Sequence, residues 1–100
     1  MLPPLTPQEL AEFSDRVIEG TIESLTQAVV EVKDGTNIVY QARLEGEDFT
    51  FWQVDHRPMG WAGPCGQLEI PRQGQRGRAY LRSDSGGKLH LLEPNGWLPL

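Results

Sequence analysis

The side chains that could act in catalysis are few: the sequence has one cysteine, Cys65, and two histidines, His56 and His90. Cys65 would be a nucleophile if either histidine lay within hydrogen-bond reach as a base. The glycines of "GPCG" would leave its sulfur accessible, but neither a helix N-terminus nor a family signature accompanies it. A thiol-dependent enzyme is therefore an alternative, and a small packed residue in a tight turn is the favoured interpretation of Cys65.

A metal site would need Asp55, His56, Cys65 and His90 to converge on one point. Asp55 and His56 are adjacent, so on a strand their side chains point to opposite sides. No two of the four have the close, paired spacing that is typical of zinc ligands. We expect no metal and no cofactor, and a metal-dependent enzyme using these residues is kept as an alternative.

Recognition chemistry is better represented, in the stretch from Asp55 to Gly66, "DHRPMGWAGPCG". Met59 and Trp61 offer apolar contact area, and Arg57 offers charge-assisted hydrogen bonds. A tryptophan close to glycines in a loop is either packed into the core or displayed for binding. We predict that Arg57, Met59 and Trp61 are binding residues.

A second candidate surface lies in "RQGQRGRAYLR", the only positively charged cluster of the chain. On a strand, Arg78 and Tyr80 share one face and leave Ala79 and Leu81 for the core. An arginine beside an aromatic ring suits a phosphate, a carboxylate or a stacked base. Arg76, Arg78 and Tyr80 complete the predicted binding surface. The alternative is a solvated sheet face whose arginines pair with glutamates of the neighbouring strand.

The charge distribution bears on the class of partner. The formal net charge is −5, with ten acidic and three basic residues in positions 1–50 and four acidic and six basic residues in positions 51–100. Nucleic-acid binding is possible through the basic cluster, but the overall field of an acidic chain disfavours it. We expect another protein as the partner; the sequence leaves the oligomeric state open.

Length and composition limit the architecture and the compartment. One hundred residues with 38% hydrophobic side chains form one domain with a modest core. No apolar run is long enough to span a membrane. The first ten residues lack the basic and apolar regions of a signal peptide, so we expect a cytoplasmic protein, with a processed secreted form as the alternative.

The first element predicted is a short helix within an N-terminal segment, residues 1–15. Thr6 is placed as the N-cap, Pro7 at the first helical position, and Glu9 completes a capping box. Leu5 and Leu10 stand at the two positions of a hydrophobic staple. We expect about two turns of helix, ending near residues 14 and 15.

The rest of the chain, residues 16–100, has the alternation typical of strands. The pattern predicts a strand over 16–25 with a bulge or bend at Gly20, and a hairpin over 28–44 around "KDGTN". It also predicts a strand in "FTFWQV" with Trp52 in the core, a short strand in "QLEI", and a second hairpin around "DSGG". The alternation of residues 14–25, leading into a hairpin, is similar to the first strands of OB-type barrels, over the first half of the chain only.

These elements predict an all-β fold: a small antiparallel β-barrel or sandwich of the OB or SH3-like size class, with one short N-terminal helix. The function predicted is that of a non-enzymatic interaction module or accessory subunit. Two alternatives stay open: the thiol- or metal-dependent enzyme, and an OB-like binder of nucleic acid or oligosaccharide.

Overall fold

The computed structural model describes residues 3–100, so residues 1 and 2 of the predicted N-terminal segment lie outside the described part of the chain. One helix is followed by six strands, within extents of 38 × 28 × 28 Å. The elements are α1 (Pro7–Phe13), β1 (Arg16–Val32), β2 (Gly35–Leu44), β3 (Glu47–His56), β4 (Arg76–Ser83), β5 (Leu89–Leu91) and β6 (Trp97–Pro99).

Helix α1 begins as its sequence predicts. The Thr6 hydroxyl accepts a hydrogen bond from the Glu9 amide at 3.1 Å, and the Glu9 carboxylate accepts one from the Thr6 amide at 3.0 Å. Leu10 is the buried residue of the helix, and it packs with Tyr80 and Leu92 against the outside of the barrel. Among residues 3–100, no helix is both long enough and apolar enough to cross a bilayer.

Five strands close into a ring, which confirms the predicted small all-β fold. The sheet runs β1-β2-β3-β5-β4, and β4 pairs back onto β1. All of these pairings are antiparallel except β3 with β5. Ring closure removes most exposed sheet edges, which is how small barrels avoid edge-to-edge association.

Strand β1 makes the closure possible because it changes partner along its length. Residues 16–21 pair with β4, and the strand pairs with β2 from Ile22 onward. The predicted break after residue 25 is wrong, since the strand is continuous to Val32. The predicted bulge at Gly20 is also misplaced: pairing is regular there, and the register shifts three residues later, at Glu23.

The core lies inside the ring and takes alternate residues of each strand. On β3 the buried residues that enter it are Phe49 and Phe51, whereas Trp52 is half-buried on the outer face. The prediction that Trp52 is a core residue is therefore wrong. Both faces of "FTFWQV" are apolar enough to be buried, so alternation alone does not choose between them.

The carboxyl-terminal half is confirmed in part. The hairpin of β4 and β5 forms around "DSGG" as predicted. "QLEI" is not a strand: it forms no ladder, and only Gly66 before it makes a single bridge, to Gln53. The pattern also missed β6, where Trp97 is 3% exposed and packs in the core.

Candidate functional site

The loop after β3, residues 57–66 (the 57–66 loop), is anchored to the start of β2 by Arg57. Its guanidinium donates hydrogen bonds to the Thr36 and His56 carbonyl oxygens, both at 2.9 Å, and to Asn37 Oδ1 at 2.6 Å. The planar guanidinium of an arginine forms several charge-assisted hydrogen bonds in fixed directions, so it orients a loop better than the ammonium group of a lysine does. Arg57 thus fixes the loop base instead of facing solvent freely.

Trp61 lies under the same guanidinium, with Arg57 Cζ 4.7 Å from the centroid of its ring. Its backbone amide closes a turn on the Pro58 carbonyl at 3.1 Å. Gly63 borders the other part of the indole, since a Cβ there would come within 2.8 Å of Trp61 Cζ2. Met59, at the tip of the turn, is fully exposed.

The exit of the loop is fixed to β3 by backbone hydrogen bonds. The Val54 amide donates to the Cys65 carbonyl at 3.1 Å, and the Gln67 amide donates to the Trp52 carbonyl at 2.8 Å. Gly66 has φ +79°, and a Cβ at this position would meet the Trp52 carbonyl oxygen. Glycine is required here because side chains rarely adopt this backbone conformation and the neighbouring strand leaves no space.

The arginine-bearing strand β4 is arranged differently from the 57–66 loop. Arg78 Nε pairs with Glu19 Oε2 of β1 at 3.1 Å, and its Nη1 donates to the Tyr80 hydroxyl at 3.3 Å. The hydrogen bonds to Tyr80 and Glu19 raise the pKa of Arg78 above its usual value. The pairing with a glutamate of the neighbouring strand, given above as the alternative for this strand, is the arrangement that Arg78 has.

The other two predicted residues of β4 differ in exposure. Tyr80 is 8% exposed, because α1 covers it, and Arg76 is exposed. Among the described residues, no hydrogen bond or ion pair joins these β4 residues to Arg57, Met59 or Trp61. The six predicted site residues therefore form two separate groups, one on the loop and one on β4.

The groups considered for catalysis do not meet. Cys65 Sγ lies 3.7 Å from the Gly63 carbonyl oxygen, and among the described residues no hydrogen bond joins it to His56 or His90. His90 is opposite Thr50 on β3, six residues before His56, a distance of about 20 Å along a strand. In residues 3–100 no three histidine, cysteine, aspartate or glutamate side chains are grouped to hold a metal ion.

His90 has a local partner instead. Its Nε2 lies 2.8 Å from Asp84 Oδ2, across the turn between β4 and β5. Asp84 Oδ1 also accepts hydrogen bonds from the amides of Gly86 at 2.9 Å and Lys88 at 3.0 Å. The hydrogen bond from His90, followed by that from the Lys88 amide, holds the pKa of Asp84 below its usual value. Asp84 organises this turn.

Sequence reasoning missed a shallow surface on the outer face of β2 and β3, which extends onto β1 at Thr26, Ala28 and Val30. It has two depressions of about 350 Å³ and one of about 250 Å³, and Lys88 borders all three. Val39, Thr50 and Trp52 are on its floor. The signal in the sequence was the second apolar face of "FTFWQV", but only the fold brings Lys88 of the β4–β5 turn beside it.

Comparison with known proteins does not place the chain in a family. No family model matches the sequence, no curated protein matches it, and no solved structure matches the fold.

Proposed function

We propose that this protein is a non-enzymatic interaction module that binds another protein through the 57–66 loop. The observation that carries the proposal is the full exposure of Met59 on the loop in which Arg57 stacks on Trp61. Methionine is a flexible, polarisable side chain that adapts to apolar pockets, and tryptophan and arginine are common anchors of protein interfaces.

Rigidity of the loop supports the same proposal. Arg57 joins the start of the loop to β2. Hydrogen bonds from the Val54 amide to Cys65 and from the Gln67 amide to Trp52 join the end of the loop to β3. A loop that is already ordered loses little conformational entropy when it binds. Exposed apolar area on such a loop favours a partner that offers an apolar pocket for Met59 and the exposed part of Trp61.

The experiment compares Met59→Asp with a matched control, Leu100→Asp, which changes an apolar side chain that is 59% exposed elsewhere. Proteins retained by the immobilised wild type and by each variant are quantified by mass spectrometry. A protein that the wild type retains and Met59→Asp does not is purified, and its binding is measured by calorimetry. We expect Met59→Asp to weaken its binding by about thirtyfold or more, as for a hot-spot residue of about 2 kcal/mol. The control variant should bind as the wild type does.

The proposal fails if the purified partner binds Met59→Asp and the wild type with the same Kd. It also fails if no protein is retained in a Met59-dependent way. Equal melting temperatures of the two variants and the wild type show that the loss of binding does not come from unfolding.

One observation favours a second candidate, the OB-like binder. In OB-type barrels the outer face of the second and third strands, beside the loop between strands four and five, holds oligosaccharides or oligonucleotides. The depressions beside Lys88 lie on the corresponding face of this barrel. Because Glu47 and Asp48 border the same face, a neutral oligosaccharide suits it better than a nucleic acid.

The test of this second candidate is an NMR titration with chitohexaose and, separately, with single-stranded oligothymidine at low salt. Shifts of the Val39, Thr50 and Lys88 amides with the sugar alone would support it. If neither ligand shifts these amide resonances, the second candidate function is rejected. If only the oligothymidine shifts them, and added salt abolishes the shifts, the face binds nucleic acid and not oligosaccharide.

A further inference from the structure

The outer edge of β1 is open where β1 leaves the barrel. The closed seam ends at Ile22, whose amide and carbonyl bond to the Gln75 carbonyl and the Gly74 amide, both at 2.9 Å. From Ser24 to Val32 the strand pairs only with β2, so its other edge has no pairing within the described residues. Nine residues of strand present about 30 Å of unpaired backbone.

This edge has few of the features that keep exposed strands from pairing, since Glu31 is its one charged residue. The segment "SLTQAVVEV" has no proline and no lysine, and its pairing with β2 is regular from Ser24 to Val32. Native edges are normally protected by prolines, lysines or bulges. Val29, Val30 and Val32 are instead 64%, 42% and 37% exposed, and they lie on both faces of the strand.

We propose that a second copy of this chain covers the edge, so that two β1 strands pair antiparallel about a two-fold axis and join their sheets. The charged residues at the two ends of the edge favour one register between the paired β1 strands. With Ala28 opposite Ala28 of the second copy, residues 24–32 overlap completely. Glu23, whose carboxylate also lies 3.5 Å from Arg43 Nε of β2, then lies opposite Lys33 at both ends, so that opposite charges meet at each end.

The same register also suits the side chains along the pair. A two-fold axis perpendicular to the sheet keeps each face continuous, so Thr26 faces Val30 and Ser24 faces Val32 across the interface. In the pair of Thr26 and Val30 both side chains are β-branched, and such side chains pack well on a sheet. The only charged side chain inside the overlap, Glu31, faces Leu25 and not its own copy, so like charges do not oppose each other.

The surface differs from the 57–66 loop of the first proposed function, although Thr26, Ala28 and Val30 also border a depression of the second candidate. The 57–66 loop is fixed to β2 and β3, while the open edge belongs to β1, on the other side of β2. Self-association through β1 thus leaves Met59 free, and the two proposals succeed or fail separately.

The first experiment measures mass by sedimentation equilibrium from dilute protein up to millimolar concentration. The chain has a mass of 11.2 kDa, and we expect a reversible transition to twice this value. Val29→Lys adds a protective lysine to the edge and should raise the Kd of dimerisation by about tenfold or more. Met59→Asp is the matched control and should leave this Kd unchanged.

The second experiment tests the register by disulfide trapping in a Cys65→Ser background. Residues directly opposite in an antiparallel pair are close enough for a disulfide, so Ala28→Cys should cross-link to itself under mild oxidation. Val39→Cys lies beside Ala28 but one strand further from the edge, and it should remain monomeric on a non-reducing gel.

Charge exchange gives a further check. Lys33→Glu should weaken the dimer, and Glu23→Lys combined with Lys33→Glu should restore it in part, because a lysine at position 23 loses the pairing with Arg43. A monomer at all concentrations overturns the proposal. So does a dimer that Met59→Asp rather than Val29→Lys abolishes, or one in which Ala28→Cys does not cross-link.

Discussion

Arg57→Ala tests whether the 57–66 loop is held as described. The substitution removes the hydrogen bonds to the Thr36 and His56 carbonyls and to Asn37, together with the contact over Trp61. Because Arg57 is half-buried, each of its hydrogen bonds stabilises the fold by only about 0.5 kcal/mol, which is less than a buried charged hydrogen bond contributes. The contact of the guanidinium with the indole adds about 0.5–1 kcal/mol.

Together these contacts predict that Arg57→Ala lowers the free energy of unfolding by about 2 kcal/mol. For a chain of this length the melting temperature should fall by about 10 °C. The assay is denaturant unfolding followed by circular dichroism, with acrylamide quenching of tryptophan fluorescence on the folded protein. Quenching should increase, because the guanidinium no longer covers Trp61.

A double-mutant cycle separates the two contributions. Arg57→Ala and Trp61→Leu, alone and combined, should give a coupling energy of about 0.5–1 kcal/mol. Arg57→Lys, the control, should keep part of the coupling and lose the paired bonds to β2. A cost below about 0.5 kcal/mol for Arg57→Ala, with no coupling and unchanged quenching, would refute the reasoning that the loop is braced.

Two further predictions concern the barrel and its β4–β5 turn. Gly77→Ala should destabilise the protein by about 2–3 kcal/mol in denaturant unfolding, since its Cβ would lie 2.3 Å from Trp97 Cζ2. The control Gly86→Ala should leave the stability unchanged, because the nearest atom to its Cβ would be Asp84 Oδ1 at 3.5 Å. Equal losses of stability in the two variants would contradict this prediction. Because the pKa of Asp84 is lowered in the folded state, its ionised carboxylate stabilises the fold at pH values above about 3.9, the pKa of an aspartate in the unfolded chain. This stabilisation is lost as the pH falls through the folded-state pKa. Asp84→Asn should therefore melt below the wild type at pH 7, with the difference in melting temperature narrowing below about pH 3.9. A difference independent of pH would exclude the ionised carboxylate as its cause.

Local signals in the sequence were sufficient where the structure is decided by neighbours in the chain. The capping box of Thr6 and Glu9 formed because both groups lie within one helical turn. The hairpin around "KDGTN" formed between two alternating strands, and Val32 pairs with Gly35 across its turn. The hairpin around "DSGG" is local in the same way, because Asp84 bonds to amides two and four residues further on.

For the 57–66 loop, the sequence predicted exposure and did not predict how the loop is held. A methionine and a tryptophan among glycines and prolines indicated a displayed segment, and Met59 is exposed. The bracing role of Arg57 was not predictable, because its acceptors Thr36 and Asn37 lie about twenty residues earlier in the chain. Nor was the burial of Tyr80, which depends on where α1 docks.

What the sequence by itself determined was therefore the class of fold, the helix, the tight turns and the loop that carries the exposed side chains. The tertiary structure alone decided which face of β3 enters the core, how β1 divides its pairing between β2 and β4, and which edge stays open. These properties depend on contacts between residues distant in the chain, and both faces of β3 carry apolar residues. Alternation fixes only that neighbours point to opposite sides; the packing of the closed barrel chooses between them.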